Sequence, residues 1–363
     1  MGTLSDIRGF PRFILSAGVA AGILLVVFTY ISSLILGLIL FFFTPNGLQF
    51  TKSNLQGFNI YVFYTLGFYV PLKVNAGFFF LFLWSIFAAC MVIAGMGPRE
   101  NLLEAVWKSF RKPLSRLLSE NCLFSLPILS SMLLLAVNTV YLIQEALGIP
   151  SGSIPLSNPF EVLLIGCYAS VAEEVSFRFI PLGITSMAYL LKVGQVKLET
   201  MTAKERFKLI IITILNPESV RSRLGLRSIR NDGWLQGVSV PEWLMLIFSA
   251  LGFGIAHPLV GIGWEIGKVT TTFIGGVAFG LVFLFYGAHA SILMHWFIDY
   301  YLLIYAFGNE FFSQLSPLAA IVDFMTLTFG VLGWAALSIF LLAKALRKPR
   351  GESVNILPET DAT

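Results

Sequence analysis

Residues Phe13 to Phe43 read FILSAGVAAGILLVVFTYISSLILGLILFFF, a run without a charged side chain. About 20 predominantly apolar residues at roughly 1.5 Å per residue cross a hydrocarbon layer about 30 Å thick, so this stretch is long enough to span a membrane. It follows Arg8 and Arg12. It also greatly exceeds the roughly 7–15 apolar residues of a secretory leader, and it reads as a retained first helix. The rest of the chain has the same character. Of 363 residues, 56% are hydrophobic, only 12% are charged and 34 are Phe. A water-soluble fold of this size needs far more polar surface. The solvent for most of the chain is therefore lipid, and the expected fold is an all-α polytopic bundle around a central polar cavity.

Eight spans are expected, at about 13–43, 76–96, 122–146, 159–191, 241–260, 269–287, 288–306 and 318–343. The segments 1–12, 97–121, 192–240 and 344–363 then share one side of the membrane and hold two, five, nine and four Lys or Arg, which is 20 of the 24. Lys52, Lys73 and Lys268 fall on the other side, and Arg178 lies within a span. Positive charge is retained in the cytoplasm, so both termini are expected there, in a multi-pass protein of the membrane.

Two of the basic segments carry helical patterning. Between Arg99 and Arg116, Leu103, Trp107, Phe110 and Leu114 recur at helical spacing while Lys108, Arg111 and Lys112 take other faces, as in a helix lying on anionic lipid. Residues 203–215 repeat this more weakly. Membrane lipids are the first expected partners. The net charge of +4 comes with no nucleic-acid motif, so no nucleic-acid partner is expected. Cys90, Cys122 and Cys167 are odd in number and lack Cys-x-x-Cys spacing, which gives no disulfide framework. Leu357, Pro358, Glu359 and Thr360 lie in a segment without a following hydrophobic tail and read as part of a disordered end.

An ionisable side chain near the centre of a span costs roughly 2.5–3.5 kcal/mol on insertion scales, so the few present demand a reason. The fourth span holds Ala172-Glu173-Glu174-Val175-Ser176-Phe177-Arg178. Glu174 and Arg178 are four residues apart and can pair, whereas Glu173, rotated by about 100° on the helix, is left over. The fifth span ends in Phe253-Gly254-Ile255-Ala256-His257-Pro258. The proline is expected to bias His257 out of helical geometry, to a helix end. The seventh span reads His295-Trp296-Phe297-Ile298-Asp299, with His295 and Asp299 on one face. His289, at the junction of the sixth and seventh spans, reads as structural. Lipid penalises Glu173, His257, His295 and Asp299 unless they converge on an interior or a water-filled cavity. A carboxylate and two imidazoles are parts that activate water and stabilise an oxyanion. His257 lies deeper along its span than His295 does along its own. A shared site therefore requires the fifth span to tilt, or to follow a surface segment that sinks its start.

At these residues the chain resembles the CAAX prenyl protease type II and bacteriocin-processing family (CPBP, with abortive-infection-like members). That family is marked by Glu-Glu-x-x-x-Arg, Phe-x-x-x-His and His-x-x-x-Asn or Asp on separate helices. Glu173, Glu174 and Arg178 fit the first motif, Phe253 and His257 the second, His295 and Asp299 the third, in order across about 165–300. The resemblance implies a glutamate-dependent intramembrane endopeptidase. Its substrates would be peptides or prenylated, CAAX-type protein ends, and no cofactor is required. Glu173 would be the general base assisted by His257, and His295 with position 299 would hold the oxyanion. Glu174, Arg178 and Phe253 would support them. CAAX-processing members carry Asn where this chain has Asp299. An ionised Asp repels an oxyanion, so Asp299 must be protonated, orient His295 or bind a cation. The corresponding division is 1–121 for N-terminal helices and a surface segment, 122–346 for the catalytic bundle and 347–363 for a tail.

Two other readings stay open. Glu173, His257, His295 and Asp299 also form a nitrogen and oxygen ligand set for a divalent metal such as zinc, as in a metal-dependent membrane hydrolase. A non-enzymatic immunity or scaffold protein would use the same cluster to join helices. No His-Glu-x-x-His, Gly-x-Ser-Gly or Gly-x-Gly-Asp motif occurs.

Overall fold

A computed structural model of the chain describes residues 4–63, 66–71, 73–97, 100–109, 121–153, 155, 158–193, 200–260 and 263–346. The long helices are α1 (Leu4–Phe43), α3 (Ala76–Met96), α5 (Cys122–Ala146), α12 (Val240–Val260), α13 (Ile266–Tyr286) and α16 (Ser316–Leu346). Two further runs are interrupted by π-helical turns. Helix α6 (Pro159–Glu174) continues through Val175–Gly183 into α7 (Ile184–Val193), and α14 (Ala288–Trp296) continues through Phe297–Tyr301 into α15 (Leu302–Phe311). Shorter helices are α2 (Pro45–Thr51), α4 (Leu102–Ser109), α8 (Ala203–Leu215), α9 (Pro217–Leu224), α10 (Ile229–Asp232) and α11 (Trp234–Gly237).

Among the described residues, seven helices are long and apolar enough to cross a membrane. The difference from the expected eight lies in 159–191. The helical run is present from Pro159 to Val193, but Glu173, Glu174 and Arg178 reduce its apolar character below that of its neighbours. Successive runs alternate in direction. The start of α5 meets the start of α14, where Cys122 Sγ lies 3.4 Å from His289 Nε2. Phe160, at the start of α6, packs against Phe41 at the end of α1 and Phe311 at the end of α15. The described residues of the connections 97–121 and 192–240 therefore lie at one end of the bundle, and those of 44–75, 147–158 and 261–265 at the other.

Local sequence sets the helix starts. Asn75, Asn121 and Asn158 each accept a backbone N–H from the first turn that follows, at 3.1, 3.1 and 3.0 Å. Thr202 and Glu205 close a capping box on α8, whose hydrogen bonds hold the Glu205 carboxyl below its usual range. Gly287, with φ of +95°, turns the chain sharply between α13 and α14. All three cysteines are free and buried.

Three features differ from the sequence expectations or add to them. Residues 54–75 form two antiparallel ladders, β1 (Asn54–Leu55) with β4 (Val74–Asn75) and β2 (Phe58–Phe63) with β3 (Leu66–Val70). This is a strand hairpin within an otherwise helical fold. In the first basic segment, α4 carries Leu103, Trp107 and Lys108, with Leu103 and Trp107 exposed. Phe110, Arg111, Lys112, Leu114 and Arg116 lie outside the described residues, as does the tail 347–363. The start of α12 is covered on one face only, with Val240 and Leu244 exposed. Glu242 in its first turn is fully buried, pairs with Arg221 of α9 and accepts Ser186 Oγ of α7 at 2.6 Å. The segment α8–α11 thus covers the beginning of the helix that delivers His257.

Candidate active site

The α6 run and the α14 run cross in opposite directions, and Gly166 lets them approach. A Cβ there would stand 2.6 Å from the Asp299 carbonyl oxygen. Seven residues further, the α6 run presents adjacent carboxylates to His295. Glu174 Oε1 lies 2.9 Å from His295 Nδ1. Glu173 Oε2 lies 3.4 Å, and Asp299 Oδ2 3.1 Å, from His295 Nε2. One imidazole therefore touches three carboxyl groups. It can donate from both nitrogens only as an imidazolium, and as a neutral ring it requires one of the carboxyls to carry the proton. The cluster holds a proton that its members share, which suits groups that must take one up and return it.

Glu174 is the buried anchor. Besides His295 it accepts Ser291 Oγ and pairs with Arg178 Nη1 at 3.1 Å, the i, i+4 partner expected from the sequence. Both members of the pair are essentially without solvent exposure. The Arg178 guanidinium also sits 4.3 Å from the Phe253 ring centroid and 5.0 Å from that of Phe279, so two aromatic faces complement its charge. Phe279 stacks on the His295 ring at 4.5 Å. Exposure rises away from this anchor. The side chains of Glu173 and Asp299 are 27% and 29% exposed, against 0% for Glu174. Glu173 is thus the carboxylate of the pair with an open face.

His257 is placed differently from the sequence expectation. It lies inside α12, one turn before the end, and Pro258 is accommodated within the same helix. A proline in a final turn forfeits one backbone bond and leaves little helix beyond it to disrupt. The imidazole Nδ1 lies 2.8 Å from the Phe253 carbonyl oxygen. Donation there leaves Nε2 with a free lone pair. Phe253, one turn earlier, comes level with His295 at 5.9 Å between rings, and His257 therefore sits nearer the height of Asp299. The charges of Asp299 and His295 act on the His257 ring.

His289 takes no part, since its contact is with Cys122. Sequence reading missed Ser291 and Phe279. Ser291 had a signal, because it lies four residues before His295 on the same helical face as Asp299. Phe279 had none among 34 Phe. Among the described residues, no group of three or more His, Cys, Asp or Glu is arranged to hold a metal ion.

Residues 155–301 match the family model described as type II CAAX prenyl endopeptidase Rce1-like. The matched stretch contains every residue of the three motifs and of the cluster. No curated protein and no solved structure matches the chain.

Proposed function

We propose, from the premise that residues 155–301 form a domain of the Rce1-like type II CAAX prenyl endopeptidase family, a protease family, that this chain hydrolyses peptide bonds with water activated by Glu173. The observation that carries the reading is the division of labour between neighbouring carboxylates. Glu174 is consumed by Arg178, His295 and Ser291, whereas Glu173 keeps an exposed face beside His295.

Glu173 takes a proton from water while His257 Nε2 accepts the second water hydrogen and orients the oxygen. The hydroxide adds to the scissile carbonyl carbon. The single N–H of His295 Nε2, held by Asp299 in the resting site, turns to the developing oxyanion as the carbonyl is attacked. This assigns Asp299 to orientation rather than to direct contact with negative charge. Collapse of the tetrahedral intermediate breaks the C–N bond as Glu173 returns its proton to the leaving amine. Glu174 and Arg178 fix the helix that carries the base. All groups in this scheme belong to the chain, and no metal or cofactor is required.

The substrates are the carboxyl-terminal ends of membrane-associated proteins, including prenylated CAAX-type ends. A lipid-modified end is already concentrated in the bilayer where Glu173 lies. Both termini and the basic segments at their end of the bundle face the cytoplasm, as 20 of the 24 Lys and Arg imply. The test is cleavage of fluorogenic CAAX peptides, with and without a prenyl group, by the purified protein in detergent. Turnover that survives a chelator is the expected result. Loss under chelator with recovery on adding zinc would instead favour a metal-dependent hydrolase. Absence of cleavage with every peptide would favour a non-enzymatic role.

A further inference from the structure

The torsion that turns an imidazole about its Cβ–Cγ bond is broad, so a histidine ring is held in one plane only by what surrounds it. Three groups surround His295 in this way. Glu174 fixes Nδ1 at 2.9 Å, the Phe253 ring stands nearly perpendicular to the imidazole at 5.9 Å, and Phe279 lies against its face, with 4.5 Å between ring centroids and 17° between planes. Of these, Phe279 alone lies outside the three sequence motifs. It comes from α13, where Gly276 and Gly280 flank it. A Cβ at Gly276 would stand 2.9 Å from Ala250 Cα, and one at Gly280 would overlap the Leu246 side chain. Glycine at both positions lets α13 lie close against α12. Phe279 is buried between these contacts and is itself held, by the Arg178 guanidinium 5.0 Å from its centroid and by the Phe253 ring at 6.4 Å.

The proposed reaction asks a limited movement of His295. Its Nε2 N–H rests 3.1 Å from Asp299 and turns to the oxyanion. Rotation about Cβ–Cγ would drive the imidazole face into Phe279 and pull Nδ1 away from Glu174. A swing within the ring plane does neither. We infer that Phe279 is a positioning residue for His295, a flat wall that blocks rotation out of the ring plane and leaves only the in-plane swing between Asp299 and the oxyanion. The oxyanion then forms in the plane of the imidazole, beside Asp299. The inference rests on the protease reading above and adds to it a residue that acts through His295. The flat face is the property that matters, because an aliphatic side chain fills the space without offering a surface on which a ring stacks.

The experiment compares the full-length wild type with Phe279→Leu, which keeps apolar bulk and removes the flat face, and with Phe279→Tyr, which keeps the face. Cleavage of a fluorogenic peptide gives kcat and KM, and thermal melting shows whether each variant is folded. Independently of turnover, NMR of protein labelled at histidine follows the ring protons of His295 in detergent. The chain has only three histidines, and the His295 signal is the one lost in His295→Gln. A phenyl ring stacked on the imidazole shifts those protons upfield. The expected result for Phe279→Leu is loss of that shift and a kcat lower by about 10- to 100-fold with KM within about twofold of the wild type, the scale on which a misplacement of about 1 Å slows an enzyme. Phe279→Tyr keeps both the shift and the rate. Wild-type kcat in a folded Phe279→Leu protein overturns the inference, as does a change in KM alone, an unchanged His295 signal, or lost turnover in a folded Phe279→Tyr protein. If Phe279→Leu does not fold, Phe279→Met is read by the same criteria. An upfield His295 signal in a wild-type protein that cleaves no peptide would overturn the protease reading and leave the packing of His295 by Phe279 standing.

Discussion

His295 Nδ1 lies 2.9 Å from Glu174 Oε1, so the second glutamate of the pair, and not the first, holds the central histidine. Arg178 and Ser291 engage the same carboxylate. Glu174 therefore joins the α6 and α14 runs at a point that neither solvent nor lipid reaches. Its removal leaves three partners without their acceptor at once.

Glu174→Gln and Arg178→Gln are expected to destabilise the protein by about 3–5 kcal/mol, because each leaves a buried charge uncompensated. Thermal melting in detergent measures this. Activity should fall with the loss of folded protein in both variants, and further in Glu174→Gln, which also loses the carboxylate that holds His295.

Ser291→Ala removes one hydrogen bond to a buried carboxylate and is expected to cost about 1–3 kcal/mol. The ring of His295 keeps its bond to Glu174, so the site should persist in a weakened form. Melting curves that show no shift would mean that the Ser291 contact carries no stability.

The fold and the site were legible in the sequence to different depths. The helices emerged from apolar run length, and the Glu174–Arg178 pair from a spacing of four. Both depend on neighbours along the chain. The hairpin at 54–75 was not foreseen, because its apolar strands Phe58–Phe63 and Leu66–Val70 lack the polar alternation that marks a half-buried sheet. The Arg221–Glu242 pair joins residues 21 apart across helices, and no periodicity reports such a contact. His257 does lie in the last turn of its helix, but it keeps helical geometry, because a terminal turn tolerates Pro258. The double engagement of Glu174 by His295 and Ser291 is tertiary as well. It depends on the register of two antiparallel runs, set in part where Gly166 meets Asp299.

The alternating helices carry a prediction about sidedness. Reporter fusions after positions 52, 110, 220 and 350 should read outside, inside, inside and inside. The positions after 110, 220 and 350 follow the basic segments, and 52 lies at the opposite end of the bundle. An outside reading at 220 would contradict the proposed orientation.

The most direct test of the account is a comparison of Glu173→Gln with the wild type in one preparation, measuring thermal stability and peptide cleavage together. Glu173 forms no contact with Arg178 within ion-pair distance among the described residues, and its side chain is 27% exposed. The amide keeps its size and loses the negative charge beside His295 together with the ability to take a proton. The account predicts a melting temperature near that of the wild type with turnover reduced by at least about 100-fold, the lower range of what general-base catalysis contributes. Cleavage at a rate near that of the wild type would contradict it.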